Sequence, residues 1–132
     1  MKAFRGFIAA ALSAALLGGC APAVLVGVGA AAGVTGVKYY EGSLTAIYHA
    51  SFEETWEAAE KTLERRNVLV ELRKRGIGSG RISGQDFRGR PVTLNLEYVS
   101  PEETQVVIRV GHLGDKDESM AFKDDIKMFL FK

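Results

Sequence analysis

The chain has 132 residues and carries 17 Lys or Arg residues against 16 Asp or Glu residues. This length allows one small domain. The nearly even charge balance argues against nucleic-acid binding, which needs a concentrated basic surface. Cys20 is the only cysteine, and His49 and His112 are far apart without a metal-binding spacing. Neither a disulfide nor a metal site is therefore expected.

The N-terminus follows the order of a bacterial lipoprotein signal peptide. Lys2 and Arg5 form a positively charged start, and residues 6–17 form an apolar run. This run is too short to span a bilayer of ~30 Å as a lasting helix. It ends in a lipobox formed by Leu17, Gly18, Gly19 and Cys20. We expect residues 1–19 to be removed and the Cys20 thiol to carry lipid, which leaves 15 basic and 16 acidic residues.

Residues 20–41 are predicted to form a lipidated, glycine-rich apolar tether. Two interpretations of residues 23–37 remain open: a spacer of small residues, or a helix in which Gly29 and Gly33 let a second helix approach closely. Residues 27–32 also match the G-x-G-x-x-A pattern of dinucleotide sites. No acidic residue follows at the end of a second strand about twenty positions later. No cofactor is therefore expected.

The composition becomes mixed after Glu41, and residues 42–132 are predicted to form a small periplasmic domain. Apolar residues alternate with polar ones in five segments, which predicts strands at residues 43–49, 68–74, 81–87, 92–98 and 105–111. The glycine-rich residues 76–80 are predicted to form a hairpin turn.

Two helices are predicted from capping signals and apolar stripes. Ser51 and Glu54 form a capping box, and Asn67 is the expected left-handed end of this first helix. Asp115 or Asp117 caps the second helix. The apolar stripes hold Phe52, Trp56, Ala59 and Leu63 in the first helix and Phe122, Ile126 and Phe129 in the second. The expected fold is α+β, with an antiparallel sheet of about five strands and both helices packed on one face.

With these residues placed, the chain resembles a bacterial lipoprotein family known as domain of unknown function 3568. The resemblance rests on the lipobox, the glycine-rich segment 26–42, residues 42–44 leading into 51–56, and residues 109–115. No activity is established for that family, so the resemblance implies none. In similar lipoproteins, Asp directly after the lipidated cysteine favours retention in the inner membrane. This chain has Ala21 there, so the resemblance implies sorting to the outer membrane.

The element order is also loosely similar to helix-grip modules of envelope-assembly lipoproteins, which is a likeness of fold and a weak guide to function. The favoured function is an envelope lipoprotein, held to the membrane through Cys20, that binds a partner protein or has a structural role. The alternative is a module that binds a small apolar ligand or lipid in a sheet–helix cleft. Such a cleft would be lined by Tyr48, Trp56, Tyr98 and Phe122.

An enzyme is not expected from this sequence. Acid–base catalysis would need His49 or His112 to lie within reach of a carboxylate. The acidic residues considered as their partners are Asp86 and Glu97. The sequence places these residues more simply on the surface of the domain, in loops or at solvent-facing sheet positions.

Overall fold

The computed structural model describes residues 33–131. These residues form the strands β1 (Val34–Tyr40), β2 (Ser43–Tyr48), β3 (Leu69–Arg75), β4 (Ser79–Gln85), β5 (Pro91–Ser100) and β6 (Glu103–Val110). The helices are α1 (Phe52–Arg65), between β2 and β3, and α2 (Lys116–Leu130), after β6. The predicted α+β class, with an antiparallel sheet and two helices, is confirmed. Within the described residues the sheet has six strands, one more than the number expected.

The six strands form one open sheet in the order β1-β2-β6-β5-β4-β3. Every neighbouring pair is antiparallel. Strands β3 to β6 follow one another as a meander, and α1 carries the chain from β2 to the far edge of the sheet. The last strand, β6, therefore returns to pair with β2.

Both helices cover the same face of the sheet. Helix α1 packs against β3, β5 and β6, helix α2 packs against β2 and β6, and the two helices contact each other. Alternate residues of the strands point towards these helices, as their period-two pattern predicts. The buried apolar side chains of the strands are Leu44, Ala46, Tyr48, Ile82, Val92, Leu94, Leu96, Val106, Ile108 and Val110.

The helix ends agree with the local signals in the sequence. The Ser51 hydroxyl accepts a hydrogen bond of 3.2 Å from the Glu54 N–H, and Asn67 has the left-handed φ of 55° expected after α1. Of the two caps considered for α2, Asp115 is the one used. Its carboxylate accepts from the Glu118 N–H at 3.0 Å.

The folded part of the chain begins earlier than residue 42, where the domain boundary was predicted. Strand β1 lies within the predicted tether and pairs with β2, and its residues Val34 and Tyr39 pack against the core. The pairing register shifts between Thr35 and Lys38, where Gly36 has a φ of 59°. This irregularity breaks the alternation of apolar residues, which is why the pattern did not indicate a strand.

Only the part of the predicted tether from residue 33 onward lies within the described residues. Gly33, the second glycine of the helical interpretation, has a φ of 84° and directly precedes β1, so it is not helical. The lipobox residues and the rest of the predicted tether lie outside the described residues, and the predictions made for them stay predictions.

Candidate functional site: three turns at one end of the sheet

Three connections lie at the same end of the sheet, because β1, β4 and β6 all end there while β2 and β5 begin there. They are the β1–β2 turn, the β4–β5 turn and the loop from β6 to α2. We call residues 40–42, 86–90 and 111–115 the turn cluster. It includes Gly42 and residues 111–115, which belong to two of the segments that carried the family resemblance.

Arg109, near the end of β6, joins two of these connections. Its Nη1 donates a hydrogen bond of 3.0 Å to the Glu41 carbonyl, and its Nη2 donates one of 2.6 Å to the His112 carbonyl. The backbones also meet directly, since a Cβ atom on Gly114 would overlap the backbone of Gly42. Only glycine allows this approach, and both glycines have a positive φ.

The third connection is held by charged groups. The Asp86 carboxylate accepts hydrogen bonds of 2.9 Å from the backbone N–H groups of Arg88 and Arg90, and one of 2.8 Å from the Arg90 Nε. Arg90 also contacts the Asp115 carboxylate at 3.2 Å, at the start of α2. Burial raises the pKa of Asp86, but the hydrogen bonds from Arg90 and Arg88 lower the pKa more, so it lies below its ordinary value.

Large apolar side chains are exposed on all three connections. The exposed fractions are 89% for Leu113, 75% for Phe87 and 70% for Tyr40. All three are on connections at one end of the sheet, and exposed apolar patches are a feature of interaction surfaces. Here the backbone beneath them is held by the hydrogen bonds of Arg109, Asp86 and Arg90, so it does not have to be ordered on binding.

The structure divides the residues considered for acid–base catalysis between the two ends of the sheet: His112 and Asp86 lie in the turn cluster, whereas His49 and Glu97 lie towards the opposite end. His112 lies in the turn cluster, where its backbone carbonyl binds Arg109 and its side chain is exposed. The Asp86 carboxylate accepts hydrogen bonds from Arg88 and Arg90 within its own turn. His49 lies at the opposite end of the sheet, with its Nε2 3.3 Å from the Thr35 hydroxyl. In the described part of the chain, no three His, Asp or Glu side chains are placed to hold a metal ion.

The four aromatic residues considered for an apolar cleft do not form one. Tyr48, Trp56 and Phe122 are buried core residues, whereas Tyr98 is half exposed near the far end of β5. The Tyr48 hydroxyl donates a hydrogen bond of 2.9 Å to the Lys123 carbonyl, and burial raises its pKa. These side chains therefore fill the sheet–helix interface rather than line a cleft.

The face of the sheet opposite the helices carries a shallow groove of about 620 Å³. It lies over the β3, β4, β5 and β6 strands, and its lining is mixed in charge. The polar lining residues include Lys74, Arg81, Asn95, Glu97 and Gln105. The sequence pattern indicates which strand residues face solvent. It does not show which of them are neighbours, because that depends on the pairing register of the strands.

Taken together, the described residues form a helix-on-sheet α+β domain with a cluster of turns that are joined by hydrogen bonds and ion pairs. None of its helices is long and apolar enough to cross a membrane. The chain belongs to the family described as "Protein of unknown function (DUF3568)", whose model matches residues 5–128. Comparison with curated proteins found no match.

Proposed function

We propose that this protein is an envelope lipoprotein, anchored through lipid on Cys20 at the outer membrane and facing the periplasm, and that its turn cluster binds a partner protein. The anchoring is supported by the lipobox and the apolar run before it. An attachment through more than one acyl chain is effectively permanent, because each buried methylene contributes ~0.8 kcal/mol. The binding role is supported by the exposed residues of the turn cluster.

The single observation that carries the binding role is the exposure of Tyr40, Phe87 and Leu113 on three turns that are fixed to one another. Burying a Leu or Phe side chain contributes about 1.5–3 kcal/mol. A surface whose backbone is already ordered retains more of this gain, because binding loses little conformational entropy. Three of the four aromatic residues considered for a ligand cleft are in the core and the fourth, Tyr98, is half exposed, so we favour a protein partner over a small apolar ligand.

The experiment places a photo-crosslinking amino acid at Lys116, which is exposed and directly follows the turn cluster. In intact cells we expect one discrete adduct. Adding Phe87→Ser should abolish it, because losing the burial of the Phe87 side chain lowers the affinity for the partner about tenfold or more. The control places the same crosslinker at Lys61, which is exposed on α1. Equal adducts at both positions, or no effect of Phe87→Ser, would contradict the binding role.

Anchoring is read out in the same cells by fractionation. The comparison is a Cys20→Ala chain whose residues 1–19 are replaced by a signal peptide that ordinary signal peptidase removes, so that an uncleaved signal cannot act as an anchor. We call it the unlipidated chain. We expect the wild-type protein in the membrane fraction and the unlipidated chain in the soluble fraction. An unlipidated chain that stays with the membrane would show that another segment is the anchor.

A further inference from the structure

The hairpin between β3 and β4 lies at the same end of the sheet as the start of the described chain. A row of paired residues runs across the whole sheet at this end: Val34 pairs with Tyr48, Tyr48 with Thr104, and Thr104 with Tyr98. The Tyr98 N–H then donates a hydrogen bond of 2.8 Å to the carbonyl of Gly78 in the hairpin turn. The turn cluster lies at the other end of the same strands.

The tip of this hairpin exposes apolar side chains. Ile77 is fully exposed, at 108% of its reference area. Tyr98 and Val99, at the neighbouring end of β5, are about half exposed. The position of a Cβ atom on Gly78 lies 3.3 Å from the Tyr98 Cβ, so the turn and this tyrosine are in contact. Tyrosine is enriched at membrane–water interfaces, so an exposed aliphatic residue beside a tyrosine suits a surface that contacts the membrane.

The strands of the hairpin are basic. Residues 69–85 hold four basic side chains against one acidic side chain, Glu71. Two of the four, Arg73 and Arg75, form ion pairs with helix α1. The other two, Lys74 and Arg81, are opposite each other in the β3–β4 register on the uncovered face, and among the described residues they have no ion-pair partner. Long basic side chains behind an apolar tip can reach anionic headgroups.

From these features we infer that the β3–β4 hairpin docks onto the anionic phospholipid surface of the membrane that carries the protein, with Ile77 at the interface and Lys74 and Arg81 at the headgroups. The inference rests on the anchoring part of the proposed function. It assigns one end of the domain to the membrane and leaves the turn cluster facing away from it.

The length of chain before the domain permits this orientation. Twelve residues separate Cys20 from Gly33. Extended at ~3.3 Å each, they span at most about 40 Å. The start of β1 and the hairpin lie at opposite edges of the six-stranded sheet, which at ~4.8 Å per strand are about 24 Å apart. A lipid on Cys20 and the hairpin tip can therefore reach the same surface together.

Acidic residues at this end determine which corner approaches the lipid. Glu102 and Glu103 lie at the β5–β6 turn and the start of β6, and Glu54 lies in the first turn of α1. These carboxylates are repelled by an anionic surface, whereas the hairpin is attracted to it. One carboxylate, Glu97, lies beside Lys74 and Arg81 in the groove, where the two basic side chains outnumber it. The domain should therefore dock by its β3–β4 corner rather than with this whole end flat on the membrane.

The test uses the full lipidated protein, purified from membranes and reconstituted into phosphatidylcholine vesicles with or without phosphatidylglycerol. Because lipidation occupies the Cys20 thiol, Ile77→Cys supplies the one free thiol for an environment-sensitive fluorophore. With anionic vesicles we expect blue-shifted emission and quenching by nitroxide on the lipid headgroups. The matched control is the same label on Lys116→Cys, at the other end of the domain, which should stay in a water-like environment.

Two charge variants test the role of the basic residues. Lys74→Gln and Arg81→Gln should each lower the ratio of docked to undocked molecules about fivefold, whereas Lys61→Gln on α1 should leave it unchanged. A water-like label at position 77 on protein that floats with anionic vesicles would overturn the inference, and so would equal quenching of both labels. Failure of the protein to float would overturn the anchoring and the docking together. If mass spectrometry finds Cys20 without lipid, label 77 is measured in the Cys20→Ala background, and quenching there means that only the proposed anchor at Cys20 is wrong.

Discussion

Gly111 and Gly114 lie in the same loop and have almost the same backbone conformation, with φ values of 82° and 84°. Their surroundings differ. Nothing lies within 4 Å of a Cβ atom placed on Gly111, whereas a Cβ atom on Gly114 would overlap the backbone of Gly42. Gly111 therefore needs glycine only for its backbone conformation, whereas Gly114 also needs the space that a side chain would fill.

We expect Gly111→Ala to lower the free energy of unfolding by about 1–2 kcal/mol, the cost of the left-handed conformation for a residue with a Cβ atom. Gly114→Ala adds a backbone overlap and should cost about 1–3 kcal/mol more. Urea unfolding of the unlipidated chain measures both variants. Equal losses would mean that the contact between the Gly42 and Gly114 backbones does not hold the turn cluster together.

Local residue roles were predictable where the partner is close in sequence. Ser51 and Glu54, three residues apart, were read correctly as a helix start, and Asn67 was read correctly as the end of that helix. The bond from Arg109 to the Glu41 carbonyl joins residues 68 positions apart. No sequence spacing indicates such a contact, because it depends on β1, β2 and β6 lying side by side.

At the scale of elements, helix α1 is seated on the sheet through Trp56 and a glycine of β4. The Trp56 ring lies against the position that a Cβ atom on Gly80 would occupy, and it also stacks on Phe52. The guanidinium of Arg75 lies 5.4 Å from the centres of both rings and forms an ion pair with Glu53. The absence of a side chain at Gly80 therefore makes room for the only tryptophan of the chain.

Gly80→Ala should displace the indole and lower the free energy of unfolding by about 1–3 kcal/mol, as overpacking of a core does. Because Trp56 is the sole tryptophan, its fluorescence reports the displacement directly. The control is Gly76→Ala in the same hairpin, where the nearest atom to a new Cβ is the Ser79 hydroxyl at 3.6 Å. An unchanged emission spectrum for Gly80→Ala would contradict this account of how α1 docks.

The elements themselves were predicted with one exception. The alternating pattern predicts β2, β4, β5 and β6 together with their buried apolar faces. It also predicts β3, but there the register shifts between Val70 and Leu72, and Leu72 is exposed. Strand β1 was assigned to the tether because its register shifts between Thr35 and Lys38 and because glycines interrupt it. A strand of this kind is identified by its pairing with β2 rather than by its own pattern.

Across the whole molecule, charged groups connect the β4–β5 turn with both helices. Arg90 contacts Asp86 at 2.8 Å and Asp115 at 3.2 Å. Arg66, just after α1, forms an ion pair of 2.7 Å with Asp125 of α2, and its guanidinium lies 4.9 Å from the centre of the Phe122 ring. These groups are partly buried, so their interactions are less screened by solvent than those of exposed pairs.

The lowered pKa of Asp86 makes stability depend on pH in a defined direction. A carboxyl whose pKa is lower in the folded state than in the unfolded state stabilises the fold above the unfolded pKa, which is about 3.9 for Asp. The contribution is lost as the pH falls from there through the folded pKa. Asp86→Asn should therefore flatten the acid limb of the curve of unfolding free energy against pH.

Urea unfolding of the unlipidated chain between neutral pH and the acid limb checks this expectation. The control is Glu102→Gln in the exposed β5–β6 turn, which should leave the limb as it is. The same acid limb in wild type and Asp86→Asn would show that Asp86 does not govern this part of the pH dependence.

The sequence by itself determined the α+β class, most helix and strand positions and the helix caps, because apolar periodicity and capping act between residues that are close along the chain. It also predicts lipid anchoring at Cys20, because the lipobox is a short sequence motif that does not depend on the fold. The tertiary structure alone decided that β1 belongs to the sheet and that three turns meet beneath Tyr40, Phe87 and Leu113. It also decided that the basic β3–β4 hairpin lies at the end where the folded chain begins. These features depend on strand order, and strand order is set by packing between residues that the sequence keeps far apart.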